Sequence, residues 1–322
     1  MSQRNGSSTS IIETVAGLTA GVVSTLTLHP LDLIKTRLQI DRISRTRVGS
    51  SLRIFNEIYK REGGLRALYR GLTPNIIGNS ASWSLYFLFY GNIKDVLAQA
   101  RVKRVDDSDG KGQKLSASEY FLASGAAGLL TSILTNPIWV IKTRMLSTGS
   151  KAPGAYPSFI AGATQILRTE GIRGFYRGLV PALFGVSHGA FQFMAYEKLK
   201  SYRLRSTTAG ENQKGEFSNI ELLLISGLSK TFAGCITYPY QVLRTRLQLQ
   251  AYNADAADAA ARSTMTSSTY YRGVWDATKQ IWAQEGLSGF YKGLGPSLVR
   301  VLPSTWVVFL VYENTKAAMY KY

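Results

Sequence analysis

The sequence is short of several residue types on which common kinds of site depend. It has one cysteine, Cys235, among 322 residues, which excludes an internal disulfide and a metal site built from cysteines. We find no grouping of nucleophile, acid and base and no glycine-rich phosphate loop, so the sequence predicts neither an enzyme nor a prosthetic group. Residues 1–10 form a polar tail without the apolar core of a secretory signal, and we expect none.

Acidic residues are also scarce. The chain has 38 Lys and Arg against 20 Asp and Glu, which gives a formal net charge of +18. In a soluble protein this excess would favour nucleic-acid binding. The basic residues here lie mostly between apolar stretches, where anionic lipid headgroups and an anionic cargo explain them better. We therefore expect no nucleic-acid partner.

Six long stretches have at most one charged residue, and each is about long enough to span a bilayer as a helix. The last two contain one charge each, Lys230 and Arg300. Polar residues within these stretches, such as Ser82 and His188, favour helices that enclose a polar cavity. An even number of spans places both termini on one side. The six stretches are 14–31, 71–93, 120–141, 178–196, 222–243 and 293–312.

One segment recurs three times, beginning at Pro30, Pro137 and Pro239, and successive prolines are 107 and 102 residues apart. The chain is therefore three copies of one unit, which we assign to residues 11–100, 115–203 and 217–317. Because proline removes a backbone donor and kinks a helix, we expect these prolines to turn three helix ends toward a common axis.

Two further motifs recur in the same order in every repeat. A Glu-Gly pair precedes an aromatic-base-Gly triplet, and each repeat closes with a tyrosine and a lysine. Short amphipathic stretches near 52–59, 159–167 and 274–282 should lie along the membrane surface. The closing residues are Tyr90, Lys94, Tyr196, Glu197, Lys200, Tyr312, Glu313 and Lys316.

Together these motifs resemble the signature of the mitochondrial carrier family over nearly the whole chain. The resemblance implies an all-α membrane protein, in which three homologous two-helix repeats form a six-transmembrane-helix bundle with pseudo-threefold symmetry, a central cavity and short matrix-side amphipathic helices. It implies a monomeric transporter of the mitochondrial inner membrane that works by alternating access. Both termini would face the intermembrane space, and the anionic lipid cardiolipin would bind on the matrix side.

In the family, acids and bases of the proline motifs pair to close the matrix side. Here Asp32 is expected to pair with Lys142, but Trp139 and Gln241 stand at the other two acidic positions. Lys35 and Arg244 therefore lack carboxylate partners there, and we expect a weakly ionic matrix gate. The expected gate residues are Asp32, Lys35, Lys142, Arg244, Gln39 and Gln248.

The resemblance also implies a gate on the cytoplasmic side, built from the closing residues of the three repeats. Glu197 would pair with Lys316 and Glu313 with Lys94. Lys200 would stay unmatched, because Gly91 stands where the third acid would be. Two expected ion pairs make this gate the more ionic of the two.

The candidate cargo site centres on Arg300, whose distance from Glu313 resembles a substrate contact position of the family. Its guanidinium suits phosphate or carboxylate, and Lys230 is a possible second cation. The corresponding positions on the second and fourth spans are Gly78 and Phe184, the latter beside Gly185. Aromatic candidates for stacking on the cargo are Trp83 and Trp139.

The Pro-Ile-Trp sequence at 137–139 resembles the branch of the family that moves large nucleotide-like cofactors, as do residues 73–76, 82–87 and 183–197. Within this branch we favour FAD over folate, with NAD, pyrimidine nucleotides and coenzyme A as alternatives. The FAD diphosphate suits Arg300 with Lys230 or Lys35. Alternatives of another class are a non-transporting membrane scaffold, a proton leak, and a soluble protein that binds nucleic acid.

Overall fold

A computed structural model of the chain describes residues 3–41, 49–102, 116–149, 155–208, 219–260 and 271–320. These ranges contain α-helices and 3₁₀ turns and no β-strand. The stretches 103–115 and 209–218, between the expected repeats, lie outside the described residues. The helices are α1 (Gln3–Ile40), α2 (Ser50–Glu62), α3 (Leu72–Val102), α4 (Ala117–Ser147), α5 (Phe159–Glu170), α6 (Leu179–Phe184), α7 (Ser187–Thr208), α8 (Asn219–Ala260), α9 (Val274–Glu285) and α10 (Leu294–Tyr320).

Six long helical segments correspond to the six expected spans, which confirms the all-α, three-repeat fold. They are α1, α3, α4, α6 with α7, α8 and α10. The fourth is interrupted at Gly185, between α6 and α7. Helix α1 begins at Gln3, so it extends into the expected polar tail.

By length and composition, three of the described helices are able to cross a membrane: Val15–Ile40, Ser118–Ser147 and Leu287–Met319. The other long helices carry more polar residues, among them Ser82 in α3 and His188 in α7.

The long helices close into a ring around a centre. Helix α3 packs along α4, α7 packs along α8, and α10 returns to pack along α1. The helices with the motif prolines, α1, α4 and α8, also contact one another. This contact places the three copies of the proline motif around a common axis.

The three expected amphipathic stretches are helices α2, α5 and α9, each of which follows a proline-containing helix. Each buries one apolar side, for example Ile58 in α2, Ile166 in α5 and Ile281 in α9, against the end of that helix. The opposite side is polar or exposed, as expected for a helix at the surface of a membrane.

A glycine ends each aromatic-base-Gly triplet because the backbone there is left-handed and tightly packed. Gly178 and Gly293 have φ of 72° and 83°. A Cβ on Gly178 would lie 2.9 Å from the carbonyl oxygen of Arg244, and one on Gly293 would lie 2.9 Å from that of Lys35. Each glycine therefore lets its repeat approach the proline-containing helix of the next repeat.

Candidate functional site

A cavity of about 340 Å³ lies where the proline motifs of the three repeats meet. Its size falls within the roughly 300–1,000 Å³ typical of small-molecule sites. Four cationic side chains line it, and Asp32 is the one carboxylate among its lining residues. The cations are Lys35, Lys142, Arg244 and Arg300. This excess of positive charge suits an anionic ligand.

Arg300, the principal expected contact, lines the cavity from α10. Its Nη1 lies 2.5 Å from Oδ1 of Asp32 on α1. Its Nε is buried and has no hydrogen-bond partner within the described residues. A buried donor without a partner is uncommon in proteins. The side chain as a whole is 38% exposed, so an anion in the cavity is able to compete with Asp32 for the guanidinium.

The expected pairing of Asp32 with Lys142 is wrong for this structure, since Asp32 forms its ion pair with Arg300. Helices α1 and α10 pack along each other, and the long guanidinium arm spans the gap between them. Lys142 and Lys35 remain close enough to Asp32 to interact with it electrostatically.

Neutral side chains replace the two missing carboxylates of the proline motifs, as expected from the sequence. Lys35 Nζ donates to Oε1 of Gln241 at 3.1 Å. Around Trp139, Lys142 Nζ lies 4.7 Å and Arg244 Cζ lies 5.8 Å from the centroid of the ring. Neither partner carries charge, so the cations keep their full charge toward the cavity.

A ring of arginine side chains joins the repeats at this end of the bundle, and we did not expect it from the sequence. Each arginine donates its Nε to a backbone carbonyl of the next repeat, at 2.9–3.1 Å. The repeated Thr-Arg that ends each proline motif was the available signal. The three bonds run from Arg37 to Leu146, from Arg144 to Gln248 and from Arg246 to Gln39.

Each of these arginines also pairs with the glutamate of its own Glu-Gly motif: Glu62, Glu170 and Glu285. Burial of Glu285, at the end of α9, opposes its ionisation, but hydrogen bonds from Arg246 and Lys292 hold its pKa below the ordinary value. The glutamates therefore fix the arginines that reach across to the next repeat.

The two expected bracing glutamines lie between proline-containing helices. Thr143 Oγ1 donates to Oε1 of Gln248 at 2.7 Å, and Thr245 Oγ1 donates to Oε1 of Gln39 at 2.8 Å. At the third equivalent place stands Leu146, which has no amide. We call the end of the bundle where the three proline motifs meet the proline end. Together with the arginine bonds, these contacts join all three boundaries between repeats at the proline end by hydrogen bonds.

The expected ion pairs at the opposite end are not formed. Glu197 and Glu313 are exposed, and neither forms a salt bridge with Lys94 or with any other basic residue of the described ranges. Exposed pairs gain little in water, so separated helix ends are not drawn together by these charges. Lys316 lies 5.7 Å from the ring centroid of Tyr312.

The other expected gate residues at this end are half-buried. Tyr90 stacks on Tyr86 with the ring centroids 6.0 Å apart. Tyr196 and Lys200 lie on α7. The proline end is thus joined by hydrogen bonds, whereas Glu197 and Glu313 form no ion pair at the opposite end within the described residues.

The remaining expected cargo contacts divide between the cavity and the outside. Gly185 lines the cavity, whereas Phe184, Trp83 and Lys230 are not among the described residues that line it. Phe184 and Gly185 are consecutive in a helical segment and therefore point in different directions. Gly78 contacts the indole of Trp139.

Trp83 and Lys230 are not among the described residues that line the cavity, but they differ in where they lie. Trp83 is 62% exposed and stacks on Phe87, one helical turn away on α3, so it covers a neighbour on its own helix. Lys230 lies on α8 within electrostatic range of Arg300 and His188. As cargo contacts, these two residues remain predictions.

A closed ring of six long helices, built from three repeats around a cation-lined cavity, defines a membrane transporter of an anionic small molecule. The model of the family described as "Mitochondrial carrier protein" matches residues 6–101, 113–207 and 215–322. The chain belongs to this family, whose members are membrane-embedded transporters and not enzymes.

Several relatives are similar over nearly the whole chain. The mitochondrial FAD carrier protein FLX1 of Saccharomyces cerevisiae is 38% identical over 94% of this chain and 96% of its own length. The mitochondrial nicotinamide adenine dinucleotide transporter 2 of Arabidopsis thaliana is 39% identical over 92% of this chain and 77% of its own length. The chloroplastic folate transporter 1 of Arabidopsis thaliana is 34% identical over 93% and 92%.

Proposed function

We propose that the protein carries FAD across the mitochondrial inner membrane by alternating access, with no chemistry performed on the cargo. The observation that carries this proposal is Arg300, a guanidinium in the central cavity with one buried donor that lacks a hydrogen-bond partner within the described residues. The excess of cations around it suits the diphosphate of a dinucleotide. Similarity to a carrier named for FAD, over nearly the whole of both chains, supports the choice of cargo.

Binding of the cargo begins with a competition for Arg300. The phosphates displace the carboxylate of Asp32, which holds the guanidinium in the absence of cargo. This exchange breaks the ion pair between α1 and α10 and releases Asp32 toward Lys35 and Lys142. Because Lys35 also bonds to Gln241 of α8, cargo binding disturbs the contacts that close the proline end.

The same proposal includes the orientation of the protein in the membrane, its lipid partner and its oligomeric state. The proline end faces the matrix, both termini face the intermembrane space, and the basic surface binds cardiolipin on the matrix side. The carrier acts as a monomer, holds no prosthetic group and binds no nucleic acid.

NAD and folate are the second candidates, because relatives of comparable similarity are named for their transport. The nicotinamide ring of NAD is cationic and offsets part of its phosphate charge, whereas the isoalloxazine ring of FAD is neutral. A cavity with four cations and one carboxylate therefore favours FAD over NAD. Folate carries carboxylates, which Arg300 also suits.

Uptake into liposomes that contain the purified protein tests the proposal. We expect saturable uptake of labelled FAD, with weaker competition by NAD and folate. Arg300→Ala should reduce uptake by at least about tenfold, since a hydrogen bond to a charged group is worth about 1.5–3 kcal/mol. Arg61→Ala is the control, because Arg61 is exposed on α2. Uptake of NAD or folate in preference to FAD would reject the proposed cargo, and full activity of Arg300→Ala would reject the site.

A further inference from the structure

Trp139 stands where the first repeat has Asp32, the carboxylate of the proline motif. Its indole extends from α4 toward α3, where a Cβ on Gly78 would lie 3.4 Å from the ring. On the cavity side it meets Lys142 of its own helix and Arg244 of α8, at 4.7 and 5.8 Å from the centroid. The ring is thus held among three helices and contacts two of the four cations that line the cavity.

An indole and a carboxylate attract cations in different ways. The ring attracts a cation through its quadrupole and leaves the net charge of the pair positive. A carboxylate in the same half-buried place would neutralise one cation and form a pair that resists separation. With Trp139 at this position, Lys142 and Arg244 are oriented by an aromatic face and retain their charge.

We propose that Trp139 is a positioning residue. It holds the cationic groups of Lys142 and Arg244 at the wall of the cavity, where the cargo can bind them. The cargo anion then draws these cations from the indole face, which costs less than breaking an ion pair. The selectivity that follows is for cargo with more than one negative charge, since Arg300 is satisfied by the first. This inference rests on the proposed function only in that the cavity binds an anion.

Three substitutions at one position separate the roles of charge and aromaticity. Trp139→Phe keeps an aromatic face, Trp139→Leu removes it, and Trp139→Asp restores the carboxylate found in the first repeat. We expect Trp139→Asp to raise the KM for the transported cofactor by about tenfold or more, as one neutralised cation would do. Trp139→Phe should stay within about threefold of the wild type, and Trp139→Leu should fall between them.

A binding measurement makes the test independent of the identity of the cargo. Inorganic pyrophosphate should raise the melting temperature of the detergent-purified wild type and of Trp139→Phe, and should do so much less for Trp139→Asp. Trp282→Leu is the matched control, because Trp282 is 62% exposed on the surface helix α9. It should respond to pyrophosphate as the wild type does.

Several results would overturn the inference. They are an unchanged KM and pyrophosphate response in Trp139→Asp, identical behaviour of Trp139→Leu and Trp139→Phe, and a wild type that pyrophosphate does not stabilise. Should Trp139→Asp fail to fold, the comparison of Phe with Leu still decides the matter. A wild type that transports NAD or folate in place of FAD would reject the proposed cargo and leave this comparison intact.

Discussion

Arg300 and Asp32 illustrate how one contact can serve two purposes in this protein. The ion pair satisfies a charge on each of two neighbouring helices, and it occupies the guanidinium that the proposed cargo anion would bind. Arg300 remains 38% exposed at its side chain, so water and ligands reach it and the pair is weaker than a fully buried one. Its strength is therefore in the range that a phosphate can displace.

The first prediction at this scale concerns Asp32→Asn. Without the competing carboxylate, Arg300 is available to the cargo at once, and we expect the KM to fall by roughly threefold, the size of an exposed ion pair. The empty protein should melt at a lower temperature, because the cavity then holds four cations and no carboxylate among its lining residues. Uptake kinetics and thermal denaturation measure the two effects.

The matched control for this variant is Asp95→Asn, which removes an exposed carboxylate of α3. It should change neither quantity. An increase in KM for Asp32→Asn would show that Asp32 supports cargo binding instead of competing with it.

At the scale of the elements, the three repeats are similar but not equivalent. The base of the aromatic-base-Gly triplet pairs with its own Glu-Gly glutamate in repeats two and three, where Arg177 meets Glu170 and Lys292 meets Glu285. In repeat one Arg70 instead donates to the carbonyl of Met145 in repeat two, at 2.9 Å. Repeat one has an extra glycine, Gly64, before this triplet, which changes the path of the chain there.

Gln39→Leu tests the bracing of α1 against α8, because it gives this junction the residue type that repeat two has at Leu146. The substitution removes one of the two acceptors of Thr245 and the donor to Tyr238, at the contact between the helices. We expect a loss of stability of about 1 kcal/mol, since two hydrogen bonds between the helices are lost while Thr245 and Tyr238 keep their bonds to the carbonyls of Gln241 and Lys292. Thermal denaturation of the purified carrier measures it.

Gln284→Leu on the surface helix α9 is a control for this variant, because Gln284 is exposed. A melting temperature unchanged by Gln39→Leu would mean that the arginine-to-carbonyl bonds alone hold the junction.

The whole molecule combines a joined proline end with an opposite end that ion pairs of Glu197 and Glu313 do not hold. Hydrogen bonds cross all three boundaries between repeats at the proline end. The glutamates at the other end are exposed and form no salt bridge in the described residues. In the proposed alternating-access cycle, we expect these charges to contribute in the conformation not seen here.

Glu313→Gln should therefore separate stability from turnover. The melting temperature of the purified protein should stay close to that of the wild type, because no ion pair of Glu313 is lost from this conformation. The maximal rate of uptake should fall several-fold with little change in KM, because the other closure loses an expected pair with Lys94. A lowered melting temperature with a normal rate would contradict this division.

Features that depend on residues close together in the chain were predictable from the sequence, and contacts between distant residues were not. Helix positions, surface helices and the absence of two acids at Trp139 and Gln241 were all predictable, because each depends on local spacing or on a motif. The partner of Asp32 was not, because Arg300 lies 268 residues away in the chain. The arginine ring was also missed. Its acceptors are backbone carbonyls, which every residue type carries, so the sequence does not mark them.

By itself, the sequence determined the three-repeat membrane fold and the kinds of charge available at its centre, because periodicity, prolines and residue types are properties of short segments. Only the tertiary structure decided which charges neutralise one another. The packing of α10 on α1 closes the ring and brings Arg300 into an ion pair with Asp32. Lys142 of α4 and Arg244 of α8 contact the indole of Trp139 and not a carboxylate. Electrostatic pairing depends on distance in space, and that distance exists only once the helices have packed.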